Sequence, residues 1–114
     1  MKLQFNELEN GIRLIKLIGT LDLSGTYSIE VEFVRQCAGD NVRVLVDLSE
    51  VDYISSIGVH MLITSANSIA SRGGKMALLS PQPSVLYVLD LTGILQLIPI
   101  HSNLGSAKAD MLAE

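Results

Sequence analysis

The stretch that most limits what this chain can become is residues 44–62, VLVDLSEVDYISSIGVHML. Val44-Leu45-Val46 is apolar without alternation and runs out at Asp47, the pattern of a central parallel strand covered on both faces. A polar turn is expected over Ser49 to Asp52, then a helix from about Ile57 to Arg72 that Gly73-Gly74 stop. Parallel strands need crossover connections, so this segment commits the chain to an α/β architecture.

The flanking segments fit. Lys2 to Asn6 alternates polar and apolar, and Asn10-Gly11 is a dipeptide that accepts positive φ at a tight turn. Ile12 to Ile18 reads as the return strand of an antiparallel hairpin, and its pattern at Leu14-Ile15 implies a bulge or burial on both faces. From Ser24 the period becomes helical, with Ile29, Phe33, Val34, Cys37 and Ala38 on one side and Gly39 as the stop. Met76 to Leu79 is a second buried strand. Pro83 opens a short helix through Leu91 that Gly93 closes, and Leu95 to Ile100 is expected as a last strand near an edge, given Pro99. Asn103 can cap a terminal helix carrying Leu104, Ala107 and Met111. With 114 residues there is room for one domain, 1–114: an α/β fold with a mixed sheet, an N-terminal hairpin and about four helices.

Composition removes several functions. Eight Lys and Arg against twelve Asp and Glu give a net charge of −4, the wrong sign for tracking nucleic-acid phosphates or an anionic membrane. Charges interrupt every apolar run before the roughly 18–20 residues a membrane span needs. The opening residues lack a signal peptide's apolar stretch, and one cysteine, Cys37, forms no internal disulfide, so a cytoplasmic setting is expected. Cys37, His60 and His101 lack metal-ligand spacing, and no cofactor motif is present. Gly73-Gly74-Lys75 lacks the earlier glycine and following hydroxyl of a phosphate loop. Ser56 has Gly58 behind it but Ile54 in front, so it is no nucleophile elbow, and a non-enzymatic role is expected.

Ser56 lies where strand meets helix, at the carboxyl end of a parallel strand, where α/β proteins place their sites. Taken alone it reads most simply as the helix N-cap. The alternative is a modified hydroxyl, because free N–H groups and the macrodipole at a helix N-terminus accept a phosphate. Projected at 100° per residue, Val59, Leu62, Ile63, Ala66, Ile69 and Ala70 form the core face. His60, Thr64, Asn67, Ser68 and Ser71 form the opposite stripe. Ile57 falls on the polar side and Met61 on its flank, which reads either as scattered exposed hydrophobes or as a protein-binding patch beside the serine.

The segment Asp47-Leu48-Ser49-x-Val51-x-Tyr53-Ile54-Ser55-Ser56-x-Gly58 resembles the signature of STAS domains, specifically bacterial anti-sigma factor antagonists. Gly19-Thr20-Leu21-Asp22, Gly73-Gly74-Lys75, Ser80-Pro81 and Asp90-Leu91-Thr92-Gly93-Ile94 are similar to further family segments, in order along nearly the whole chain. The resemblance implies partner switching. The unphosphorylated antagonist binds an anti-sigma factor that is also a serine kinase and so frees a sigma factor; the kinase phosphorylates the antagonist, and a serine phosphatase reverses this. Aligning Gly58 with the family glycine puts the phosphoacceptor at Ser56, with Ser55 where the family has an aspartate and Ile57 in place of a small residue. Asp22 matches an acid the family places near that site; on the residues alone it is equally a solvated loop acid or a helix cap. Ser55, Ile57, Gly58, Met61 and Asp22 are thus the expected partner surface, Gly58 either admitting a partner's backbone or relieving crowding in its own helix. Two other readings remain. One is a non-switching STAS scaffold or accessory subunit of a signalling or transport complex. The other is a small-ligand or nucleotide binder, supported only by analogy of fold.

Overall fold

The computed structural model describes residues 1–113. Strand β1 (Lys2–Glu7) pairs antiparallel with β2 (Ile12–Leu21), and Asn10 and Gly11 between them adopt φ of 65° and 76°. Then follow α1 (Leu23–Gln36), β3 (Arg43–Ile54), α2 (Ser56–Ser71), β4 (Lys75–Leu79), α3 (Pro83–Thr92), β5 (Ile100–His101) and α4 (Leu104–Leu112). The strands lie side by side in chain order, β1-β2-β3-β4-β5, with every pair after the hairpin parallel. Right-handed crossovers between strands added always in one direction put their helices on one face of the sheet. Accordingly α1, α2 and α3 bury Phe33, Leu62 and Leu89 in a single cluster with Leu17, Val46 and Leu78. On the other face, α4 lays Ala107 and Met111 over Ile12, Leu45, Ala77 and Leu79.

Burial on both faces explains Leu14-Ile15: Ile12 and Leu14 point toward α4, Ile15 and Leu17 toward α1 and α2. The irregularities fall later, where the β2–β3 register shifts between Lys16 and Ile18 and between Gly19 and Thr20. Three expectations need correction. The predicted turn at Ser49–Asp52 is strand, since β3 continues to Ile54 with Val51 and Ile54 buried. Beyond Asp47 it pairs with β2 alone, β4 having ended, and polar residues are tolerated on a strand so exposed along one edge. Helix α1 stops at Gln36, with Cys37 as its C-cap, and Gly39 (φ 111°) makes the turn that follows. The last strand is two residues rather than six. Ile94–Gln96 is a 3-10 turn: Ile94 and Ile98 both enter the core while Gln96 midway between them is exposed, whereas a strand would turn all three to the same face. Proline has no N–H for the sheet; Pro99 contributes its carbonyl, which accepts from Leu78 N at 2.9 Å. The terminal helix is as expected, capped by Asn103, whose Oδ1 accepts from Ser106 N at 2.8 Å.

Candidate functional site

Strands β2 and β3 end level with each other, Leu21 opposite Ile54, and each turns at once into a helix. Asp22 caps α1: its Oδ1 accepts from Gly25 N at 2.7 Å. Ser55 caps α2, its Oγ accepting from Gly58 N at 3.5 Å. The same hydroxyl donates to the Leu21 carbonyl at 2.7 Å, and Ser55 N donates to that oxygen at 2.9 Å. The start of α2 is therefore tied to the end of β2. Two glycines make the fit possible. A Cβ at Gly25 would overlap the Thr20 carbonyl oxygen, and one at Gly58 would stand 3.0 Å from Ile54 Cγ1 and 3.1 Å from Leu21 Cβ and O.

This geometry assigns different duties to neighbouring serines. The cap is Ser55, not Ser56 as the residues alone suggested. Ser56 is the first residue inside the helix and is exposed, and its hydroxyl has no hydrogen-bond partner among the described residues. Of the early backbone donors, Ser55 N and Gly58 N are taken, while the N–H groups of Ser56 and Ile57 have no partner among the described residues. A helix's first turn leaves such donors free by construction.

The expected partner surface divides. Asp22 is exposed, and Ser55 and Ile57 are half-buried beside Ser56. Met61 is not a surface residue: it is 3% exposed and belongs to the main core. Its flank of α2 is where α1 packs, which a projection of one helix does not reveal. Gly58 is buried, and its close approach is to Leu21 and Ile54 of its own chain. Ala70, assigned to the core face, is exposed, and His60, Thr64, Asn67, Ser68 and Ser71 are exposed as expected; Ser65, which fell in neither group, is buried. Sequence reasoning passed over Leu23, Tyr27 and Tyr53, all more than half exposed on the elements that carry the caps. Their signal was available: Tyr53 precedes buried Ile54 on a strand, and Leu23 and Tyr27 lie one turn apart, off the face of Ile29 and Phe33.

At the far edge of the sheet, His101 Nε2 lies 3.0 Å from Asp110 Oδ2, with Ser106 Oγ 3.4 Å from Nδ1. The sequence had shown no acid placed to orient this histidine; α4 brings one. Among the described residues no group of three His, Cys, Asp or Glu side chains is arranged to hold a metal, and no helix is long and apolar enough to cross a membrane.

This architecture, with paired helix caps at the ends of two parallel strands, matches a known domain. The model of the STAS domain family fits residues 6–107, and the chain belongs to that family. Two relatives are similar over nearly their whole length. "Putative anti-sigma factor antagonist BtrV" of Bordetella bronchiseptica is 28% identical over 109 residues, covering 96% of this chain and 93% of the relative. "Anti-sigma F factor antagonist" of Paenibacillus polymyxa is 25% identical over 117 residues, covering 97% of both. Among solved structures, an anti-sigma-factor antagonist (STAS) domain protein from Planctomyces limnophilus superposes with a TM-score of 0.86 at 22% identity, over 97% of this chain and 98% of that one.

Proposed function

We propose that this chain is a bacterial, cytoplasmic anti-sigma factor antagonist that works by partner switching, with Ser56 as its phosphoacceptor. In the unphosphorylated state it binds an anti-sigma factor that is also a serine kinase, releasing a sigma factor; phosphorylation of Ser56 weakens that complex, and a serine phosphatase restores it. The observation that carries this reading is the free Ser56 hydroxyl. It is exposed on a first turn whose capping is done by Ser55, so it is open to modification without loss of a structural bond. Asp22, Ser55 and Ile57 border it and form the contact surface, while Gly58 and Met61 support that surface from beneath.

A phosphoryl group adds about −1.5 to −2 charges and three acceptor oxygens. Here it would meet the positive end of α2 and the unpartnered N–H groups of Ser56 and Ile57, so the fold tolerates it. In a packed interface the same group must be desolvated, at several kcal/mol, unless the partner supplies cations. Binding changes while the domain does not.

The test combines intact-mass analysis and site mapping of protein from its native cells with pull-downs by wild type, Ser56→Ala and Ser56→Asp. Phosphate on Ser56, and a kinase-like partner held by the alanine form and released by the aspartate form, is the expected result. If Ser56 carries no phosphate and all three forms capture the same partners, the chain is instead a non-switching scaffold or accessory subunit.

A further inference from the structure

At the opposite ends of α1 and α2 from Ser56 is a cleft of about 390 Å³, at the small end of the range for ligand sites. Val34, Cys37 and Ala38 line its α1 side, Thr64 and Ser68 its α2 side, and Arg72 lies at its end. Arg72 is held in place by three hydrogen bonds: Nε to Gly39 O at 2.8 Å, one terminal nitrogen to Cys37 O at 2.8 Å, and the other to Ser68 Oγ. A guanidinium has five N–H donors, so two remain. Among the described residues it forms no ion pair with a carboxylate.

The charge balance favours an anion. The carboxyl terminus of each helix contributes about half a negative charge. Against this stand two full positive charges, Arg72 and Arg13, the latter donating to the carbonyls of Gln36 and Ala38. Both guanidinium groups act on the Cys37 thiol in the cleft, opposing the effect of its burial. Among the described residues no acid lines the cleft; Glu30 lies in a smaller adjoining hollow, and Asp40 is exposed in the following loop.

We propose that this cleft binds a small amphiphilic carboxylate, its chain or ring against Val34, Cys37 and Ala38 and its anion on the Arg72 guanidinium. Because Arg72 is already fixed, little side-chain freedom is lost on binding. The site is separate from Ser56, and it stands or falls independently of the switching function.

The probe is octanoate, titrated up to about 10 mM, a range suited to a ligand of so few atoms, with octanol as the uncharged control and amide NMR as the readout. Saturable shifts should be confined to residues 34–39 and 64–72. Octanol and the Arg72→Met variant should bind about tenfold more weakly or worse, as expected for loss of a hydrogen bond to a charged group. Val34→Trp, at an exposed position, fills the cleft without touching any Arg72 hydrogen bond and should abolish binding, so the outcome does not depend on Arg72→Met folding. Absence of saturable shifts, equal binding of octanol, or undiminished binding by Val34→Trp overturns the proposal.

Discussion

Replacing each of the adjacent serines in turn gives a sharp test of the site. Ser55 makes two side-chain bonds of unequal quality. Its cap bond from Gly58 N is long, at 3.5 Å, so it belongs at the weak end of the roughly 0.5–2 kcal/mol range for N-caps. Its bond to Leu21 O, at 2.7 Å, is a good neutral hydrogen bond, for which about 1 kcal/mol is typical. Leu21 O is not orphaned on truncation, because Ser55 N still donates to it, so no further desolvation penalty is added. Ser55→Ala should therefore lose about 1.5 kcal/mol, or roughly 0.5–1.5 M in urea midpoint. Ser56→Ala, which removes a hydroxyl with no partner among the described residues, should stay within about 0.5 kcal/mol of wild type. Ser55→Asp is the most informative variant. Aspartate is a good N-cap in general, but its carboxylate would face the Leu21 carbonyl with no proton to donate. It should be no more stable than Ser55→Ala, although an aspartate stands at the matching position in the family pattern. The measurement is equilibrium urea unfolding followed by circular dichroism. If Ser56→Ala proves as damaging as Ser55→Ala, or if Ser55→Asp is as stable as wild type, the division of labour between the two serines is wrong.

Four further outcomes follow from three buried groups. Gly58→Ala gains helix propensity but crowds Leu21 and Ile54 at 3.0–3.1 Å; overpacking should win, leaving the variant about 1 kcal/mol less stable in the same urea assay, whereas unchanged stability would remove the intramolecular reason for the glycine. Thr26 is fully buried, and its hydroxyl has no partner among the described residues, so Thr26→Val should raise stability by about 1 kcal/mol in thermal or urea unfolding. Burial pushes the Cys37 thiol from its ordinary 9.0 up to about 11, against the opposing pull of Arg13 and Arg72. Alkylation by iodoacetamide at neutral pH should accordingly be slow until urea unfolds the chain. Above pH 9 the unfolded chain gives up the thiol proton first, so wild type should lose stability relative to Cys37→Ala as pH rises from about 9 to about 11, on the order of 2 kcal/mol in all.

Local chemistry makes much of the fold legible in the sequence. Asn10-Gly11, Pro83, Gly93 and Asn103 each solve a backbone problem within a few residues, and each is where the pattern puts it. Val44-Leu45-Val46 announces a covered parallel strand because full burial leaves no polar alternation. What stays hidden depends on contacts distant in sequence. The choice between Ser55 and Ser56 as cap is decided by Leu21 O, 34 residues away from Ser55. Met61 is buried by α1, and no projection of α2 alone carries that information. Strand β3 reads as ending at Asp47 because β4 ends opposite it, although β2 continues to pair as far as Ile54. At Leu95 to Ile100 a short apolar run fits either period, and the exposure of Gln96 between buried Ile94 and Ile98 settles it against a strand.

Because the strands stand in space in the order in which they occur in the chain, the sheet can be assembled as the polypeptide leaves the ribosome. No later strand has to be threaded between two that are already paired, and each parallel strand joins its neighbour across a crossover of about twenty residues rather than from a distant part of the chain. The drawback of such growth is that each partly built sheet presents a fresh open edge on which another nascent chain could pair. Strand β5, only two residues long and preceded by Pro99, leaves that edge too short to recruit a neighbour once it is in place.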